Sequence, residues 1–172
     1  MSRRNSCRRI RGTRETTDGQ AGSLRYMMNE LSAIAVFIPF VAAVMIFVSP
    51  KRLAELWTYL AALSTVVCVA LLLPAVRSGE FPEKTLFSIM PALPLRLRVD
   101  ALGLTFGLLA SGLWVVASVY SSGYVRADNM DNRPRYFACF AASIGSALGV
   151  AFAGNILTFL LFYEMLTLAT YP

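Results

Sequence analysis

Five runs of mostly apolar residues, at 31–48, 56–76, 101–120, 136–153 and 156–172, constrain what this chain can fold into. Each approaches the roughly 20 residues that a helix needs to cross the hydrocarbon core of a bilayer. Inside lipid, backbone amides and carbonyls must bond one another, and a single segment achieves that only as a helix. The chain is 56% hydrophobic and 15% charged, whereas about a quarter of the residues of a soluble domain are charged. The expected fold class is all-α and integral to the membrane, a multi-helix bundle of about five transmembrane helices with the last incomplete.

Punctuation between the runs supports this division. Pro39 interrupts the first run, which a packed membrane helix tolerates, and Pro50, Lys51 and Arg52 end it. Trp57 and Tyr59 suit the interface where the second begins, and Pro74 and Arg77 mark its exit. Asp100 opens the third run, where a carboxylate suits the exposed amides and positive end of a helix; capping and proton entry are its two readings. Gly154 and Asn155 leave only a tight turn before the fifth, with Asn155 placed to act as its N-cap. Small residues recur every four positions, as Gly103, Gly107 and Ser111 and as Ala141, Gly145, Gly149 and Ala153. Each strip lies on one helix face and lets another backbone approach, which favours packing over a ligand role.

Two stretches stand outside the spans. In 78–99, Leu95, Leu97 and Val99 alternate with Arg96, Arg98 and Asp100, the period of a strand. The readings are a short hairpin capping the bundle or an interfacial loop whose arginines meet lipid headgroups. Residues 1–26 are rich in Arg, Ser, Thr and Gly and cannot form a core, so they are expected to be disordered. They are either a basic tail or an upstream extension of a chain that starts at Met27 or Met28, making 27–172 the membrane domain.

The net charge of +6 is concentrated in that segment, whose seven arginines face only Glu15 and Asp18. No basic stripe on a folded domain supports nucleic acid, so anionic lipid or topology control is the reading of the basic excess. Arg77, Lys84, Arg96 and Arg98 lie on the side of the N-terminus, against Lys51, Arg52, Arg126, Arg133 and Arg135 opposite. With the tail the positive-inside rule puts the N-terminus in the cytoplasm; without it the balance tips weakly outside. The chain has no histidine and no CxxC, and Cys7, Cys68 and Cys139 lie far apart, which removes the usual zinc and redox sites. Phosphate-binding, zinc-protease and nucleophile-elbow motifs are absent from the sequence, so no cofactor is expected and a transporter subunit fits better than a catalytic chain.

Glu164 is the residue that points to chemistry. Eight uncharged residues separate it from Asn155, and no charge follows it. A carboxylate at such depth is costly to insert and marks an ion or proton route, or a polar contact between helices. On a helix it shares a face with Leu157, Leu160, Thr167, Leu168 and Tyr171, so Thr167 and Tyr171 extend a polar strip away from it. Desolvation favours the protonated form of a carboxyl group and a cationic partner the ionised form; balance between the two lets such a group load and release a proton. None of the five runs contains a lysine to serve as that partner.

The stretch LRVDALGLTFGLLASGLWVVASVYSSGYV (97–125), followed by FACFAASIGSALGVAFAGNILTFLLFYEMLTLATYP (137–172), resembles the antiporter-like membrane subunits. These occur in multisubunit monovalent cation/proton antiporters and in respiratory complex I, the NADH–quinone oxidoreductase. FYEMLTLATYP is similar to the form in the antiporter D-type subunit. The resemblance implies that Glu164 is the proton-handling glutamate that pairs with a lysine on a later helix, and that Asp100, Asn155 and Leu157 occupy family positions. It implies a multi-pass protein of the bacterial inner membrane, with an outside N-terminus and with other membrane subunits, the bilayer, protons and Na⁺ or K⁺ as partners. Longer members continue through the lysine-bearing helices, so the chain resembles an N-terminal fragment that is expected not to translocate ions by itself. The alternatives are a proton-translocating subunit of a quinone oxidoreductase, and a non-transporting scaffold or truncated remnant.

Overall fold

The computed structural model describes residues 2–79, 81–90, 93–127 and 133–171, with the side chains of 2–21, 24, 25, 51, 52, 88–90, 93, 125–127 and 133 left aside. Its elements are α1 (Ser2–Val48), α2 (Lys51–Leu71), α3 (Leu73–Arg77), β1 (Glu83–Met90), β2 (Leu93–Arg98), α4 (Ala101–Ala127), α5 (Arg133–Ala151) and α6 (Ile156–Ala169). This is an all-α bundle carrying one short antiparallel hairpin. Three stretches are long and apolar enough to cross a membrane: Tyr26–Val48, Leu53–Arg77 and Ala101–Tyr124. The five expected spans are therefore not all of membrane length among the described residues. α6 has 14 residues, about 21 Å at 1.5 Å per residue and short of the hydrocarbon core.

Several element bounds differ from the sequence expectation for physical reasons. α1 reaches back to Ser2, so the backbone of the basic segment continues the first span as helix where disorder is expected. Extending an existing helix costs far less than nucleating one. The second span bends at Leu72, between α2 and α3. Pro74 there lacks the amide that would reach the carbonyl of Ala70 and crowds that turn. Gly79, at φ 80°, then turns the chain out of the helix. α4 runs past Tyr120 to Ala127, because Ser121 and Ser122 are buried and bond Tyr136 and Tyr59.

α5 sits at the centre, packed on α1, α2, α4 and α6. One buried cluster, with Val36, Leu72, Leu97, Leu104, Leu148, Phe152 and Phe162, lies toward the hairpin; a second surrounds Trp114 and Phe137 with alanines of α1, α2 and α5. Alanine there lets the helices approach closely. The hairpin, paired from Glu83↔Arg98 to Met90↔Leu93, caps the end where α4 and α6 begin. Of the two readings of 78–99, the hairpin is the one found, with Leu97 and Val99 buried and Arg96 and Arg98 exposed. Its edge continues into the α5–α6 turn. Arg98 N donates to the Phe152 carbonyl at 2.7 Å and Gly154 N to the Arg96 carbonyl at 2.8 Å. The charge comparison at the opposite end includes Lys51, Arg52, Arg126 and Arg133, whose side chains lie outside the described residues, as does that of Cys7.

Candidate functional site: an exposed carboxylate on a docked helix

α6 is held at its start and on one face only. Asn155 is its N-cap: the side-chain oxygen accepts from Thr158 N at 2.8 Å and from the Thr158 hydroxyl at 2.5 Å. The Asn155 side-chain amide donates to the Pro94 carbonyl at 2.5 Å, and Arg96 N donates to Thr158 Oγ1 at 2.9 Å. Two side chains thereby serve both the free amides of a helix start and the open edge of β2. One turn on, Phe162 fills the gap left by Gly149 and meets Phe40 with ring centroids 6.4 Å apart.

Thr158 and Phe162 are the buried residues of α6, whereas Glu164 lies on the exposed side with Leu160, Thr167, Leu168 and Tyr171. Leu168 and Tyr171 are 77% and 91% exposed, so the face around the carboxylate is one that no element of the described chain covers. Glu164 makes no ion pair among the described residues. Thr167 donates its hydroxyl to the Tyr163 carbonyl at 3.1 Å, and Tyr171 follows the helix C-cap, Thr170. The polar strip therefore runs along the outer surface of α6, not through the bundle. Chemically, such a carboxylate can take and release a proton or pair with a cation brought by another helix.

Asp100 lies at the start of α4, where its Oδ1 accepts from Gly103 N at 2.6 Å, the bond of a helix cap. The small residues hold tight approaches. A Cβ at Gly103 would fall 2.4 Å from the Ala151 carbonyl oxygen, and one at Gly107 would lie 2.9 Å from the Phe152 ring. At Gly145 the limits are Phe40 and Pro39, at 3.0 and 3.2 Å. Cys68 and Cys139 are half-buried and unbridged.

Sequence reasoning misses other polar groups that the fold buries or pairs. Glu55, near the start of α2, is 7% exposed although it comes shortly after the loop residues Lys51 and Arg52. Lys84, a loop cation by sequence, pairs with Glu30 of α1, while Asn29 Oδ1 accepts from Glu83 N at 3.1 Å. No local pattern announces a contact across more than fifty residues. For Glu55 the only signal is its place on the face shared with Thr58 and Ala62.

No family model matches the chain. It is 30% identical over 156 residues to a Staphylococcus haemolyticus protein named as antiporter subunit mnhA2, covering 87% of this chain and 18% of that protein. It is 30% identical to the A1 subunit of a Staphylococcus aureus Na(+)/H(+) antiporter, over 80% of this chain and 18% of the relative. The A/B subunit of a Rhizobium meliloti K(+)/H(+) antiporter, so named, is 27% identical over 83% of this chain and 14% of its own length. The chain thus spans less than a fifth of these relatives. Its fold matches a chain of the membrane-bound sulfane sulfur reductase, an archaeal respiratory membrane complex, with a TM-score of 0.66 at 20% identity, covering 79% of this chain and 21% of that one. Over most of its length the chain is homologous to A-type antiporter subunits, and it shares the fold of a protein from a respiratory membrane complex.

Proposed function

We propose that this chain is part of an A-type component of a multisubunit monovalent cation/proton antiporter, with Glu164 as its intramembrane proton-handling carboxylate. The observation that carries the reading is the place of Glu164: it lies on the uncovered face of α6, in a chain homologous to antiporter subunits. Na⁺ or K⁺ is the counter-cation, as the names of the relatives indicate for those proteins. The A-type reading draws on these relatives, and FYEMLTLATYP resembles the D-type form.

In this reading the chain provides a rigid mount for the carboxylate. Asn155, Thr158 and Phe162 fix α6, so that Glu164 faces a helix of another part of the assembly. A cation on that helix would favour the ionised carboxylate, and its withdrawal would favour proton uptake. Thr167 and Tyr171 line the same outer face and support the proton route, while Asp100 serves as the cap of α4. The basic residues 1–26, which lead into the first span, have a role in topology.

A second reading, a proton-translocating subunit of a respiratory complex, draws on the fold likeness to the archaeal respiratory assembly. Genomic neighbours separate the two: small antiporter subunits favour the first, peripheral redox subunits the second. Replacing Glu164 by Gln tests the shared core of both readings. Exchange should be lost while the chain still assembles; unchanged exchange would leave only a scaffold.

A further inference from the structure

Buried polar side chains are concentrated on two helices: Glu55, Thr58 and Thr65 on α2, and Ser111, Ser118, Ser121 and Ser122 on α4. Their relative level is set by Tyr59 Oη and Ser122 Oγ, 2.5 Å apart. Thr65 lies six residues beyond Tyr59 on α2, and Trp114 eight residues before Ser122 on α4. α2 and α4 run antiparallel, so Thr65 lies about 9 Å along α2 from Tyr59 and Trp114 about 12 Å along α4 from Ser122, in the same direction. That puts the two residues at neighbouring levels inside the bundle. Trp114 packs in the same buried cluster as Ala61 and Ala62, one turn before Thr65.

Most of these hydroxyls return to their own helix: Thr58 to the Ala54 carbonyl at 2.9 Å, Ser111 to Gly107 at 2.7 Å, and Ser118 to Trp114 at 2.7 Å. Thr65 Oγ1 and Trp114 Nε1 do not. Each residue is 0% exposed, and neither atom meets a hydrogen-bond partner among the described residues. Unmatched polar atoms are costly in an apolar interior, and buried waters in proteins commonly resolve such a mismatch. The chemistries are complementary through water: the indole N–H only donates, and the threonine hydroxyl both donates and accepts.

We propose that Trp114 and Thr65 bind an internal water at the centre of the bundle, the inner end of a polar seam that starts near Glu55 and passes Tyr59 and Ser122. The water accepts from Trp114 Nε1 and donates to Thr65 Oγ1. The site places one water between α2 and α4. It rests on burial and unmet hydrogen bonds within this chain and does not depend on the role of Glu164.

Radiolytic hydroxyl-radical footprinting of the full chain in lipid nanodiscs tests it, with labelling at each residue normalised to the unfolded chain. Radicals formed from bound water label the side chains beside it. Trp114 should label several-fold more than Phe137 and Phe152, which are 1% and 0% exposed. Thr65→Val should lower labelling at Trp114 several-fold and leave Trp57 unchanged, while Thr65→Ser should retain it. Protection of Trp114 equal to that of Phe152 in the unmodified chain would overturn the proposal without recourse to any variant. Labelling at Trp114 that is indifferent to a folded Thr65→Val variant would also overturn it.

Discussion

Gly149 and Phe162 are in contact so close that a Cβ on Gly149 would fall 2.2 Å from the Phe162 ring. This contact seats α6, and with it Glu164, on α5. Gly149→Ala should therefore force Phe162 out of its place, at a cost of about 1–3 kcal/mol, the range for overpacked cores. Unfolding in mixed micelles checks this, and the loss should be smaller when Phe162→Leu is introduced alongside.

Asn155→Ala removes both the cap of α6 and the bond to the Pro94 carbonyl. Loss of a cap costs about 0.5–2 kcal/mol. Hydrogen exchange should quicken at the first-turn amides of α6 and at Arg96, whose amide bonds Thr158 Oγ1. Exchange over the first half of α2, at the opposite end of the bundle from this junction, should not change.

The Glu30–Lys84 pair joins α1 to the hairpin, but its side chains are 34% and 30% exposed. Exposed pairs contribute little and weaken with salt. Single and double replacement by Gln and Met should give a small coupling that falls as ionic strength rises. A larger, salt-independent coupling would mean that another group covers this pair in the assembly.

Local period and cap chemistry made part of this molecule legible in its sequence. Alternation at Leu95, Leu97 and Val99 gives a strand, and its partner strand supplies the hairpin. Asn155 before an apolar run gives a cap. Helix lengths were less legible, because they depend on tertiary bonds such as Tyr59 to Ser122 that keep α4 going beyond Tyr120. The burial of Glu55 was barely legible, and the Glu30–Lys84 pair and the unmatched Thr65 and Trp114 were not legible at all. Each depends on which helices become neighbours, and no run of adjacent residues encodes that.

The most direct test of the central claim is cation-driven proton exchange in everted membrane vesicles. The chain is expressed with the neighbouring subunits of its locus in a host lacking its own antiporters. Glu164→Gln should reduce exchange about a hundredfold or more, the lower end of what a proton-transferring group contributes, with the same amount of chain in the membrane. Glu164→Asp should keep part of the activity, since the carboxyl group is retained. Wild-type exchange rates in a fully assembled Glu164→Gln variant would contradict the account and leave Glu164 as a contact between helices.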